Sequence, residues 1–344
     1  MGSHEQPAAV SRRAFAGGSA AFAMSAAVGA TVGHRGAAAE GDPLPSWNDG
    51  SAKQAILDFV AAVTTEGGSG FVAPSDRIAV FDNDGTLWTE QPVYSQALFA
   101  VGEVKRLAPE HPEWVGQEPW DAVISGDPVR MSKLSEADIA NVLASATTGM
   151  TTDQFAENVA NWFAVAQHPV QKRPYGQTTY QPQLELLDYL EANGFATWIV
   201  SGGGVDFMRV FAEDVYGIPP ERVIGSSTAV DWEMTDAGPV LIKQPKLGSY
   251  NDKTGKPINI HLAIGKRPIF AFGNSDGDKE MLEYTAAGDG ARLMLLVHHD
   301  DAAREAAYDR GSHIGGLDAA WDEAVEKGWT VVSMKDDWAT IFPG

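Results

Sequence analysis

Four short clusters in this sequence carry side chains able to do chemistry. The first is Asp82-Asn83-Asp84-Gly85-Thr86, which follows the apolar run Ile78-Ala79-Val80-Phe81. Two acids one residue apart, at the end of a strand, project in related directions as the chain bends. One can attack an electrophile while the other moves protons, or the two can hold a cation together. The second cluster, Ser201-Gly202, ends the run Trp198-Ile199-Val200 and offers a hydroxyl beside bare backbone N–H groups, a seat for an anion. The third contains Lys253 and Lys256, either of which would neutralise a phosphate. The fourth, Gly273-Asn274-Ser275-Asp276-Gly277-Asp278, sets oxygen donors behind another apolar run and suits a hard cation such as Mg²⁺. Each cluster alone also fits an ordinary polar turn. Their order and their shared position at strand ends point to one site.

The elements that must position these clusters follow from periodicity. Apolar runs over 77–82, 195–200, 268–272, 292–297 and 330–334 are short and bounded by turn residues, as buried strands are. Residues 223–230 and 240–243 read as short strands, with a hairpin around 236–238. Leu184, Leu187 and Leu190 share one face of a helix predicted over 182–193, and Asn193-Gly194 stops it. Further helices are expected at 52–63, 205–215, 261–265, 300–310 and 317–327. Strands alternating with helices predict an α/β fold, with right-handed crossovers and a parallel sheet covered on both faces. Ligands in such sheets sit beyond the carboxyl ends of the strands. Residues 88–177 are helical in pattern, with loops at 109–119 and 168–175.

Charge narrows the function. The 344 residues carry 46 acids against 25 bases, a net charge of −21, which disfavours a nucleic-acid partner or an anionic membrane surface and favours a small molecule. There is no cysteine, so thiolate nucleophiles, disulfides and cysteine-based zinc sites are excluded. At the N-terminus, Ser11-Arg12-Arg13-Ala14-Phe15 precedes a weakly apolar Ala/Gly stretch and then Ala37-Ala38-Ala39. That is the layout of a twin-arginine export signal, so residues 1–40 stand apart from the fold and the mature chain is expected outside the cytoplasm without stable membrane insertion. A disordered Ala/Gly tail is the alternative.

Other motif readings fail. An EF-hand loop starting at Asn274 needs Gly at Lys279, and a P-loop ending at Gly255-Lys256 needs Gly at Tyr250 and Ser or Thr at Pro257. A dinucleotide fingerprint starting at Gly202 needs a small residue at Phe207.

Taken in order, the four clusters resemble the signature of the haloacid dehalogenase superfamily, especially its phosphoserine-phosphatase-like hydrolases. Asp82 to Thr86 matches the first motif, Asp-x-Asp-Gly-Thr; Ser201 matches the second; a lysine matches the third; and Asp278 matches the last acid of the fourth. The similarity runs from about Arg77 to Val297. Two departures stand out. Asn274 occupies a position where the family usually has a metal-binding Asp, so Asp276 is an alternative source of charge. Lys253 and Lys256 both qualify as the third motif, and spacing to the next helix favours Lys256.

The resemblance implies a Rossmann-like doubly wound parallel sheet, built from 41–87 and 178–344, with a mainly helical cap domain inserted at 88–177. It implies a Mg²⁺-dependent phosphatase acting on a small phosphomonoester. Asp82 would be the nucleophile that forms an aspartyl-phosphate, and Asp84 the acid and base. Ser201, Gly202 and Lys256 would hold the phosphoryl group, and Asp82, the Asp84 carbonyl, Asn274 and Asp278 the cation. Two alternatives remain: a phosphotransferase or mutase on the same fold, and an inactive exported binding protein. Trp88, Glu90, Tyr94, Trp114, Trp120 and Trp162 either line a substrate pocket or form the cap's own core. Arg173 and Tyr175 are placed near the substrate, and His298-His299 is read as a loop-facing pair.

Overall fold

The computed structural model describes residues 41–131, 133–134 and 136–344. The export signal expected over residues 1–40 lies outside them.

Eight strands occur among the described residues: β1 Ile78–Phe81, β2 Ala196–Gly204, β3 Val223–Thr235, β4 Gly238–Ser249, β5 Phe270–Gly273, β6 Leu293–Asp300, β7 Ala307–Tyr308 and β8 Thr330–Ser333. All four residues of β1 are buried. Ala79 and Phe81 enter one apolar cluster, while Ile78 and Val80 enter another. Successive side chains of a strand point to opposite faces, so β1 is covered on both sides, and its sequence is apolar throughout rather than alternating. The strand order is β4-β3-β2-β1-β5-β6, and the far edge of β6 is shared by β8 and β7. Pairing is parallel except for β3–β4 and β6–β7. The result is a Rossmann-like, mainly parallel α/β sheet with one antiparallel strand at each edge.

Helix α1 (Ser51–Thr64) lays Ile56, Phe59, Val60 and Val63 on one face of the sheet. Between β1 and β2 lie α2 (Ser95–Leu107), α3 (Trp120–Ser125), α4 (Pro128–Met131), α5 (Glu136–Ser145), α6 (Thr152–Val165) and α7 (Gln181–Ala192). Helix α6 starts at a capping box: Thr151 Oγ1 accepts from the Gln154 amide and Gln154 Oε1 accepts from the Thr151 amide. After β2 come α8 (Val205–Arg209) and α9 (Ala212–Tyr216), two short helices where one was expected. The remaining helices are α10 (Gly255–Ile264), α11 (Lys279–Ala286), α12 (Ala319–Lys327) and α13 (Met334–Asp337).

Three sequence expectations need correction. The hairpin of β3 and β4 is far longer than predicted, and its β4 side bonds to the turn before α6: the Gly149 amide donates to the Lys243 carbonyl (2.9 Å) and the Lys243 amide to that of Met150 (3.0 Å). The Lys243 ammonium there is buried on Asp206 and over the Phe155 ring. Residues 300–310 are not helical. Asp301 Oδ1 accepts from the amides of Ala303 and Arg304 (3.1 Å each), Arg304 reaches the carbonyls of Met334 and Trp338, and the chain then pairs as β7. His298 and His299 belong to β6 rather than to a loop, and His299 is buried.

Candidate active site

Three parallel strands bring the predicted residues together. Asp82 follows β1, and its amide donates to the Phe272 carbonyl of β5 (2.9 Å). Ser201 and Gly202 lie near the carboxyl end of β2, where Asn251 Nδ2 pins the Ser201 carbonyl (2.8 Å). Asn274 follows β5, and Asp278 stands at the entrance to α11. Asp82, Asp84, Ser201, Gly202 and Lys256 line one cavity of about 300 Å³, together with Glu90 and Tyr94. A larger open groove of about 940 Å³ among α2, α5 and α6 contains none of the predicted catalytic, phosphate-binding or cation-binding residues, though Trp114 and Trp120 line it.

Of the two candidate lysines, Lys256 is the one that reaches Asp82. Its Nζ donates to Asp82 Oδ1 at 2.7 Å and to Asp278 Oδ1 at 2.5 Å, and it is 2 % exposed. A lysine in the first turn of α10 opposes the helix dipole, and the two carboxylates offset that. Asp278 Oδ2 accepts from the backbone amides of Asn274 (3.0 Å) and Ser275 (3.1 Å), which fixes the turn after β5. Lys253 is exposed, with φ of 50°. Asp276 turns away from the site: its Oδ1 accepts from the amides of Asp318 and Ala320 (2.9 Å each) at the start of α12. It is therefore not the source of charge at position 274.

The loop after Asp82 is held from several sides. Trp88 Nε1 donates to Asp84 Oδ1 (2.8 Å), and Tyr216 donates to Asn83 Oδ1 (3.0 Å). Thr86 donates to Asn274 Oδ1 (3.1 Å), and Asn274 Nδ2 donates to Glu90 Oε1 (2.7 Å). Gly85 has φ of 76°, and a Cβ there would collide with Asn274 and Glu90, so only glycine fits. Behind the loop, His299 Nε2 donates to the Gly85 carbonyl (2.8 Å) and Nδ1 meets Glu305 Oε2 (3.3 Å).

The electrostatics follow from a buried group of carboxyls around one lysine, which bonds to Asp82 and Asp278 and acts on Asp84 from farther off. Burial, then the Asp278 charge, pushes Asp82 up to about 8 against the pull of Lys256. Burial also raises Asp84, and it raises Glu90 well above the usual carboxylate range despite the bonds from Tyr308 and Asn274. Burial would lower Lys256, but Asp278 and Asp82 outweigh it and the lysine is raised. A divalent cation would offset the excess of negative charge. The donors suit a hard ion by type: the Asp82 carboxylate, the Asp84 carbonyl and the Asn274 amide oxygen, with Asp278 engaged by Lys256 beside them. Among the described residues no three His, Cys, Asp or Glu side chains form a chelating group by themselves, so backbone and amide oxygens would have to share the task.

The packing of the helical segment bears on both readings of its tryptophans and corrects the placement of Arg173 and Tyr175. Trp88 packs against Phe211, Tyr175 and Phe163; Trp162 joins the same cluster; Trp114 and Trp120 stack in a separate one. Trp88 is fully buried core, while Trp114 and Trp120 also edge the larger groove. Tyr175 is buried with them, and Arg173 donates to the carbonyls of Gln177 and Pro343. Sequence reasoning missed Gln96, whose Oε1 accepts from the Gly204 amide (2.7 Å), and the pair His299–Glu305. Neither had a local signal.

Comparison with known proteins adds a family. The model of haloacid dehalogenase-like hydrolases matches residues 79–283. Among solved structures, a conserved protein of unknown function from Anaerococcus prevotii has a TM-score of 0.51 at 15 % identity, covering 82 % of this chain and 91 % of that one. A protein of unknown function from Bordetella pertussis follows at 0.46 and 14 %, covering 74 % and 97 %. A phosphoserine phosphohydrolase-like protein from Francisella tularensis has 0.36 and 18 %, covering 66 % and 89 %. No curated protein matches the chain. The family match takes in well over half of the sequence and every strand-end cluster that meets at the cavity, and on that ground the chain belongs to the haloacid dehalogenase-like hydrolases.

Proposed function

We propose that this hydrolase is a Mg²⁺-dependent phosphatase that cleaves small phosphomonoesters through an aspartyl-phosphate on Asp82. The observation that carries the reading is the convergence of Asp82, Asp84, Ser201 and Lys256 on one cavity. An Asp82 carboxylate oxygen attacks phosphorus, and the bond from phosphorus to the ester oxygen breaks as Asp84 gives that oxygen a proton. A water then attacks the aspartyl-phosphate, Asp84 takes its proton, and phosphate leaves with Asp82 restored. Burial raises Asp84, the direction a proton donor needs, in a role worth about 10²–10⁴ in rate. The Trp88 bond aims it. Ser201, the Gly202 amide and Lys256 hold the phosphoryl oxygens as charge spreads over them. Bound Mg²⁺, held by Asp82, the Asp84 carbonyl and Asn274 next to Asp278, would screen the anionic nucleophile from the anionic ester.

Residues 88–177, which carry α2 to α6, act in this reading as the cap that selects the alcohol. The net charge of −21 argues against nucleic acid as substrate. Among the described residues no helix is long and apolar enough to cross a membrane, and the twin-arginine pattern supports export. The test uses p-nitrophenyl phosphate. Activity is expected to vanish with EDTA and return with Mg²⁺, and Asp82→Asn is expected to lose about 10⁴-fold or more. Undiminished turnover in either experiment refutes the mechanism.

A further inference from the structure

Asn274, 1 % exposed, stands behind the cavity wall with a neutral amide, and the buried carboxyl group bonded to that amide comes from a different segment, one that does line the cavity. Glu90 is 2 % exposed, lines the cavity with Asp82 and Asp84, and accepts from Asn274 Nδ2 at 2.7 Å and from the Tyr308 hydroxyl at 2.8 Å, both through Oε1. Two glycines clear the space for it. Gly85 and Gly315 have φ of 76° and 65°, and a Cβ on either would collide with the Glu90 carboxyl. The nearby cation, Lys256, is already bonded to Asp82 and Asp278. Two neutral donors do not compensate a buried carboxylate, whose removal from water is costly. A cation beside Glu90 and Asn274 would.

We propose that Glu90 supplies the negative charge that position 274 lacks, so that Glu90 and Asn274 act as one unit of the cation site. Glu90 acts through Asn274, holding the amide and offsetting the ion's charge from beside it, as outer partners of metal ligands do. This rests on the Mg²⁺ reading above. Asp276, the other acid in the fourth cluster, is spent on the start of α12.

The alternative is a neutral glutamic acid that merely bridges Tyr308 and Asn274. Glutamine would replace it atom for atom, with its Oε1 accepting the same two bonds. The experiment is a calorimetric Mg²⁺ titration of the full chain, its variants checked for fold by circular dichroism. Glu90→Gln is expected to weaken Mg²⁺ binding about 10–100-fold. The double variant Glu90→Gln with Asn274→Asp returns the charge from the other side and is expected to recover most of that loss. Asn274→Asp alone, which leaves Glu90 in place, is expected to bind Mg²⁺ more tightly than the wild type. Unchanged binding in Glu90→Gln, or no recovery in the double variant, overturns the proposal. A wild type that takes up no Mg²⁺ overturns the metal reading itself, and a titration of the unaltered chain reveals that ahead of any variant.

Discussion

Two polar clusters flank the loop that follows β1, and they are built on opposite terms. On the cavity side, Lys256 bonds to Asp82 and Asp278, Glu90 accepts from two neutral donors, and burial raises Asp82, Asp84 and Glu90. On the far side, Glu305 is also buried, and burial would raise it too. The bonds from His299, Thr89 and the Ala306 amide outweigh that and hold it below the usual glutamate range. His299 is in turn stacked on Tyr308 and bonded to Gly85. A carboxylate with enough donors strengthens the fold; one with too few strains it and stays reactive. The loop bearing Asp84 is gripped by a saturated cluster so that an unsaturated one can face the cavity.

Substitutions break this contrast in a definite order. Asp84→Asn should lower kcat by about 10²–10⁴ while leaving the urea midpoint unchanged or higher. A midpoint that falls with the rate would mean that Asp84 belongs to the stabilising side. His299→Leu frees the Gly85 carbonyl and strips Glu305 of a donor, and it should destabilise the protein by about 1–3 kcal/mol in urea unfolding. Asp82→Asn, silent as a nucleophile, should do the reverse in metal-free buffer and raise stability by about 1 kcal/mol, because it removes a carboxyl group that the fold holds above its ordinary pKa. The smallest effect sharpens the comparison through pH. Glu305 has a lowered folded pKa, so its contribution is present above the unfolded value of 4.5 and is lost as pH falls through the folded one. Unfolding followed from about pH 6 downward should show a shallower acid limb in Glu305→Gln than in the wild type.

Much of this site is legible in the sequence, because it is local. Asp82, Ser201 and Asn274 each close an apolar run, and such runs become central strands of a covered sheet whichever helices cover them. What the sequence hides is tertiary. The stretch Ala302-Ala303-Arg304-Glu305-Ala306-Ala307 has helical propensity, yet Asp301 folds it into a turn and Arg304 ties it to the carbonyls of the C-terminal segment. Glu305 therefore reaches His299 by a route no periodicity records. Glu90 is visible as an acid in the helical insertion, but its bond to Asn274 spans 184 residues. Sequence leaves the tryptophans open between pocket and core, and packing sends Trp88 to the core while Trp114 and Trp120 also edge a groove.

The β3–β4 hairpin carries a last consequence. It is stitched to residues 149 and 150 by two backbone bonds, while the buried Lys243 side chain pairs with Asp206 of α8 and lies over the Phe155 ring. The helical segment is thus held by its two chain connections, by this strap, and by buried contacts to α8 and its surroundings: Phe163 stacks on Phe211, Phe99 and Trp162 lie against Phe207, and Gln96 accepts from the Gly204 amide. Replacing the hairpin would therefore release residues 149 and 150 as well as remove one edge of the sheet.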